Sequence, residues 1–126
     1  MARWLNIHTE PGTKIVVYAA GIIPWVAPHG TYVDMLGMND ATVARMPAHR
    51  APKGTNPLTY YAPGHNKYSI SWTVEHYAPD VILQIWGMKE HDEEVEALKR
   101  DYRVISMTND TRNNVLVRND SKKVWQ

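Results

Sequence analysis

The sequence predicts an α/β fold: a small three-layer, Rossmann-like sandwich on a mostly parallel five-stranded sheet with an antiparallel edge hairpin. Three observations lead to this class. The chain has 126 residues, a length that fits one domain over residues 1–126. Lys14–Ala20 is a continuous, β-branched apolar run, which is typical of a strand buried on both faces. Such runs alternate with helical patterns, which favours parallel strands joined by right-handed crossovers.

Five strands are expected, in the sheet order 2-1-3-4-5 of a doubly wound fold. The polar turn Thr108–Arg112 separates the last two, so we expect them to pair as an antiparallel hairpin at the sheet edge. The predicted strands are Lys14–Ala20, Thr31–Leu36, Asp80–Trp86, Arg103–Met107 and Asn113–Arg118.

Helical segments fill most of the intervals between these strands. The clearest is Lys89–Arg100, where acids concentrate in the first turns and match the helix dipole. Between Pro47 and Pro63 the repeated prolines predict a long loop, and loops of that length are often binding elements. Ala41–Met46 and Ser69–Tyr77 are also predicted as helices. Two segments stay open: Arg3–His8 is the end of a helix or a lead-in, and Ile22–His29 is a short helix or a turn.

Composition excludes several classes of protein. With 44% hydrophobic and 21% charged residues, the chain has the balance of a globular domain and not of a disordered one. The absence of cysteine excludes disulfides, a thiolate nucleophile and a cysteine-based zinc site. No apolar stretch approaches the ~18 residues of a membrane span, and no signal peptide begins the sequence. We therefore expect a soluble domain, and the sequence does not assign its cellular compartment.

Charge is unevenly distributed although the net charge is only +1. No Asp or Glu occurs between Ala41 and Val74, whereas the same stretch contains Arg45, Arg50, Lys53 and Lys67. This basic, proline-rich region could attract an anion such as a phosphate or an acidic sugar, or it could be an ordinary solvated loop. The basic run is too short to predict nucleic-acid binding.

The common catalytic and cofactor motifs are absent. The turn after the first strand, Gly21-Ile22-Ile23-Pro24-Trp25, has neither the dinucleotide fingerprint nor a Walker-type Gly-Lys-Ser/Thr. There is no Gly-x-Ser-x-Gly elbow and no His-Glu-x-x-His helix. We assign no cofactor, no metal ligand and no catalytic residue from the sequence.

Candidate ligand-binding residues come from the segments that follow the first two strands and from the turn Pro63–Lys67, where a lysine ahead of a helix N-terminus could hold an anion. In such sheets ligands bind beyond the carboxyl ends of the strands, here Gly21–His29, Leu36–Asp40 and Ile85–Met88. Alternatively, Gly37 makes a turn and Asn39 or Asp40 caps the next helix. The candidates are Trp25, Asp34, Asn39, Asp40, His65 and Lys67.

The same segments resemble a known family. The motif Asp34-Met35-Leu36-Gly37-Met38-Asn39-Asp40 and the later Gly64-His65-Asn66-Lys67 are similar to the C-terminal soluble domain of polytopic GT-C-type glycosyltransferases, including arabinofuranosyltransferase-like and mannosyltransferase-like proteins. The resemblance covers roughly Trp4 to Met107 and also includes Gly21-Ile22-Ile23-Pro24-Trp25. It implies an extracytoplasmic domain that assists binding of an acceptor glycan or a lipid-phosphate carrier, downstream of a membrane-spanning enzyme. Transferase activity does not carry over, because the family's catalytic carboxylate lies between membrane helices.

Three functional hypotheses follow. The first is a non-catalytic ligand-binding or accessory domain for a carbohydrate or a phosphorylated, anionic ligand, with an aromatic rim of Trp25, Tyr60, Tyr61 and Trp72. The second is a small stand-alone enzyme that uses Asp34, Asp40 and His65. The third is a structural module that forms homo-oligomers through the edge hairpin Met107–Arg118.

Overall fold

The computed structural model describes residues 1–18, 20–49, 54, 66–83, 93–106 and 114–125. It confirms the α/β class, with one five-stranded mixed sheet in the order β2-β1-β3-β5-β4. β1 pairs in parallel with β2 and β3, whereas β5 pairs antiparallel with β3 and β4. The strands are β1 Lys14–Val17, β2 Thr31–Asp34, β3 Val81–Ile82, β4 Tyr102–Ser106 and β5 Asn114–Arg118.

The order of the last two strands differs from the predicted 2-1-3-4-5, because β5 and not β4 lies beside β3. The physical reason is burial. The three central residues of β5, Val115, Leu116 and Val117, are all buried, whereas Val104 in the middle of β4 is 51% exposed. A strand that is apolar on both faces gains more from an interior position, so β5 moves inward and β4 becomes the edge.

Helices interleave with the strands, close to the predicted segments. Ser69 precedes the helix Ile70–Tyr77 and accepts a hydrogen bond from the backbone N–H of Trp72, so it acts as the N-cap. The predicted residues Ile85–Met88, Tyr60, Tyr61 and His65 lie outside the described part of the chain. The helices are α1 Ala2–His8, α2 Ile22–Val26, α3 Ala41–Arg45, α4 Ile70–Tyr77 and α5 Glu93–Asp101.

Two apolar cores, one on each face of the sheet, produce the three layers. On one face Ile15 and Val17 of β1 pack with Leu5 of α1 and with α2, and we call the elements on this side the α1–α2 layer. On the other face Val16 packs with α4 and with Leu98 of α5, which form the α4–α5 layer. Alternate residues of β1 thus bury against opposite helical layers, as the two-residue period of a strand requires. Within the described residues, no helix has the length and apolar character needed to cross a bilayer.

Candidate functional site

The turn between β2 and α3 contains three of the candidate residues, and its hydrogen bonds are local. Asp34 is buried, and its two carboxylate oxygens accept the backbone N–H groups of Leu36 at 2.9 Å and Asn39 at 3.0 Å. Gly37 has a φ of +71°, a left-handed conformation that glycine adopts without strain. Asp34 therefore closes the turn, in the manner of an Asx turn.

Asp40 is the N-cap of α3 and joins that helix to α4. Its Oδ1 atom accepts the backbone N–H groups of Thr42 at 2.8 Å and Val43 at 3.1 Å. Its Oδ2 atom accepts Tyr77 O–H at 2.8 Å and Trp72 Nε1–H at 3.4 Å. Desolvation raises the pKa of Asp40, but these four hydrogen bonds to the charged form outweigh it and hold the pKa below its ordinary value.

Replacing Asp40 with alanine is expected to lower the free energy of unfolding by about 2 kcal/mol near neutral pH, because an N-cap is lost and the Tyr77 hydroxyl loses its acceptor. The folded-state pKa is depressed, so this contribution is complete above the unfolded pKa of about 3.9 and is lost as pH falls through the folded value. Urea unfolding at neutral and at acidic pH measures the difference. Asp40→Asn, which keeps a cap acceptor, serves as the control, and equal loss in both variants would contradict this assignment.

Lys67 lies on the same side of the molecule, at the other end of α3. Its Nζ atom donates to the carbonyl oxygen of Ala44 at 2.6 Å, where a helix C-terminus favours a cation. Close by, the backbone N–H of His49 donates to the carbonyl of Asn66 at 2.7 Å. Asn39 and Lys67 thus lie at the two ends of one short helix, and His49 and Asn66 meet beside it.

A third buried carboxylate, Asp80, carries few signs in the sequence. Its Oδ1 atom accepts Arg118 Nη2–H at 3.2 Å and Ser121 Oγ–H at 2.8 Å, and its Oδ2 atom accepts the backbone N–H of Lys14 at 2.9 Å. Arg118 also donates to the carbonyl of Ala78 at 2.6 Å. This network joins the start of β3 to the end of β5. Only the position of Asp80 just before an apolar strand hints at it.

A cleft of about 360 Å³ opens next to this network, between the C-terminal ends of α4 and α5. Tyr102 lines it and donates its hydroxyl to the carbonyl of Pro79 at 2.9 Å. Burial, as the largest cause, raises the pKa of Tyr102 to about 12, so the phenol is neutral at physiological pH. The C-terminal ends of the two helices give this part of the cleft a negative potential, and the guanidinium of Arg118 lies there. The cleft is therefore explained by the packing of the fold without a ligand.

Trp25 stands apart from the other candidates. It is 84% exposed on α2, in the α1–α2 layer, whereas Asp40, Lys67 and Trp72 belong to the α4–α5 side of the sheet. The proposed aromatic rim of Trp25 and Trp72 is therefore divided between opposite faces. Trp72 stacks on His76 with ring centroids 4.5 Å apart, whereas Trp25 has no ring or hydrogen-bond partner among the described residues.

Little within the described residues is arranged for acid–base or metal chemistry. The carboxylates of Asp34, Asp40 and Asp80 accept hydrogen bonds from structural donors, and in the part of the chain that the structure describes every buried side-chain nitrogen or oxygen has a partner. In the same ranges, no group of three His, Asp or Glu side chains gathers as a metal site. The described feature that folding leaves unexplained is the exposed apolar surface around Trp25.

One family model, described as a domain of unknown function (DUF8728), matches residues 1–124. No curated protein and no solved structure matches the chain. The family match carries no link to the glycosyltransferases that the sequence resembles.

Proposed function

The chain belongs to the DUF8728 family, and we propose that it is a non-catalytic binding or accessory module. Its ligand contacts the outer surface of the α1–α2 layer. The observation that carries this proposal is the exposure of Trp25, at 84%, beside Ile22, at 73%. Exposed apolar patches of this kind on a folded domain are usually interaction surfaces.

The ligand classes are those that the sequence suggests. A carbohydrate would stack its apolar C–H face on the free indole of Trp25, since amphipathic rings with a flat apolar face suit such contacts. A phosphorylated or anionic ligand would be attracted by Arg3 and Lys122, which are exposed and lie on the same layer or its C-terminal edge. Neither ligand requires a catalytic group.

Amide chemical-shift mapping tests this function directly. Oligosaccharides, sugar phosphates and inorganic phosphate are titrated separately, and shifts are expected on α1 and α2. A response restricted to α3, α4 and the Asp34–Asp40 turn would assign binding to the other side of the sheet and overturn the proposal.

A variant pair separates binding from folding. Trp25→Ala is expected to change the free energy of unfolding by less than about 0.5 kcal/mol, because the side chain buries little on folding. Its neighbour Ile23, which is partly buried against the core, serves as the control, and Ile23→Ala should cost about 1–2 kcal/mol. Thermal and urea unfolding measure both. If Trp25→Ala destabilised the fold as much as Ile23→Ala, the Trp25 side chain would be structural.

The second candidate function is self-association through the edge of the sheet. β4 supplies that edge, because β5 lies inside the sheet. Its exposed Val104 is the specific observation in favour. A dimer that dissociates when Val104 is replaced by Lys, and that is unaffected by Trp25→Ala, would support this candidate over the first.

A further inference from the structure

Exposed apolar side chains concentrate on one layer of the molecule. Among the described residues seven large hydrophobic side chains are exposed, and two of them, Met38 and Val104, lie elsewhere. The other five belong to α1, α2 and the C-terminal segment and are Ile7, Ile22, Trp25, Val26 and Trp125. Exposed apolar residues that are scattered singly over a surface are ordinary. Their concentration on one layer is not required for folding and indicates an interaction surface.

The elements that carry these five side chains adjoin one another. α1 and α2 cover the same face of the sheet, and the Nδ2 group of Asn6 on α1 donates to the carbonyl of Val26 on α2 at 2.8 Å. At the end of α1, the backbone N–H of Trp125 donates to the carbonyl of His8 at 3.1 Å, so the C-terminal segment adjoins α1. A tryptophan alone presents about 150–250 Å². The layer therefore exposes several hundred Å², comparable to the largest apolar patches of about 300–600 Å² on monomers.

The charges that border this surface are mainly basic. Arg3 lies one helical turn before Ile7 on the same exposed face of α1. Lys122 and Lys123 lie next to the end of α1, where the carbonyl of Lys123 accepts the backbone N–H of Glu10. The acids there are Glu10 and Asp120, and Asp120 pairs with Arg118 at 2.7 Å.

The centre of the surface is uncharged, and most of the exposed acids among the described residues lie on the opposite side of the molecule. Residues 20–31 contain no Asp, Glu, Lys or Arg, so α2 presents a neutral apolar surface. The α4–α5 layer carries the exposed acids Glu75, Glu93, Glu96 and Asp101 together with the exposed cations Lys99 and Arg100. An apolar centre with a basic border faces one way, and a surface of mixed charge faces the other.

We infer that the outer surface of the α1–α2 layer binds peripherally to an anionic lipid bilayer. This inference rests on the proposed function and names its ligand. The indoles of Trp25 and Trp125 lie at headgroup depth, as tryptophan does at membrane–water interfaces, and Ile22 reaches the acyl boundary. Arg3, Lys122 and Lys123 contact lipid phosphates and carboxylates. The same basic border would repel a second copy docked by this face, which favours a lipid surface over a homodimer.

Vesicle flotation with the full chain tests the inference. The wild type is expected to float with phosphatidylcholine vesicles containing about a third phosphatidylserine, and to float less with phosphatidylcholine alone. Raising the salt from about 0.1 M to about 1 M shortens the Debye length from about 10 Å to about 3 Å and should release much of the bound protein.

Variants assign the binding to this surface. Trp25→Ala is expected to weaken partitioning about 10- to 100-fold, and Arg3→Gln with Lys122→Gln about fivefold for each charge removed. The controls are Met38→Ala, an exposed apolar residue on the other side, and Arg45→Gln with Lys99→Gln, which removes the same net charge from that side. These controls should leave binding within about twofold of the wild type, since they lie beyond a Debye length of the lipid.

Three outcomes would overturn the inference. The first is no flotation with anionic vesicles at low salt, and the second is flotation that the controls weaken as much as the test variants do. The third is a dimer in sedimentation equilibrium that Trp25→Ala dissociates, because the surface would then be covered by a second copy. If flotation failed while glycans or phosphates still shifted the amides of α1 and α2, the proposed function would stand and only the lipid assignment would be lost.

Discussion

Replacing Asp80 with alanine is expected to lower the free energy of unfolding by about 3–5 kcal/mol, the range for breaking a buried ion pair on one side. Asp80 is 5% exposed, and its removal leaves three donors without an acceptor, namely those of Arg118, Ser121 and Lys14. Two of these belong to β5 or the segment after it, and the third begins β1. The substitution therefore weakens several central strands at once. The expected loss is a large fraction of the free energy of unfolding of a typical domain.

Asp120→Ala provides the matched control, because Asp120 pairs with the same guanidinium at 2.7 Å but is 81% exposed. An exposed pair contributes little, so this variant should cost less than about 1 kcal/mol. Urea unfolding followed by far-UV circular dichroism compares the two. Similar losses in both variants would mean that Arg118 matters only as a surface charge and that Asp80 does not join the strands.

Gly37→Ala is the second large expected effect, a loss of about 2–4 kcal/mol. A Cβ atom at this position would lie 2.8 Å from the backbone nitrogen of Ala44 and 2.9 Å from Cγ1 of Val43. The left-handed φ of +71° adds its own strain for any residue with a side chain. Because the obstructing atoms include backbone, the turn must move away from α3, and the hydrogen bonds of Asp34 and Asp40 would be disturbed with it.

Gly12→Ala isolates the strain from the close contact. Gly12 has a similar φ of +76°, but the nearest atom to its added Cβ is the flexible Lys123 Nζ at 3.9 Å. This variant should lose only about 1–2 kcal/mol, the left-handed penalty alone. Thermal unfolding of both variants measures the difference, and a Gly37→Ala variant no less stable than Gly12→Ala would contradict the close approach of turn and helix.

The sequence predicts the class of the fold well, because its signals are local. The apolar run that begins at Lys14 and the helical pattern of Ser69–Tyr77 each mark an element that the structure contains. The position of β5 depends on a comparison between two similar strands. The difference between Asn114–Arg118, apolar in its three central residues, and the alternating Tyr102–Ser106 is visible in the sequence, but its consequence appears only when both compete for the place beside β3.

The topology of the sheet determines which candidate residues lie on the same face. β1 leads to β2 in one direction across the sheet, and β2 leads back past β1 to β3 in the other. With right-handed crossovers, that reversal puts α2 on one face and α3 and α4 on the other. Trp25 and Asp40 both follow neighbouring parallel strands, yet they end on opposite sides. Reasoning from the carboxyl ends of the strands alone does not separate them.

The Asp34–Asp40 motif also shows why spacing can suggest chemistry that the structure uses for folding. From the sequence alone, two carboxylates six residues apart could be interpreted as an acid–base pair. In the structure each carboxylate accepts at least two N–H or O–H donors from its own surroundings. The same residues also fit the pattern of a turn followed by an N-cap. The structure contains this second arrangement, in which Gly37 packs closely against α3.

A single-cysteine comparison tests the central claim most directly, since the chain has no cysteine of its own. Ile22→Cys, on the α1–α2 layer, and Met38→Cys, on the turn before α3, are each labelled with a polarity-sensitive fluorophore at sites that are 73% and 56% exposed. On addition of anionic vesicles the label at position 22 should shift to the blue, and salt should reverse the shift, whereas the label at position 38 should not respond. A response at position 38 with none at position 22 would place the binding surface on the other side of the sheet.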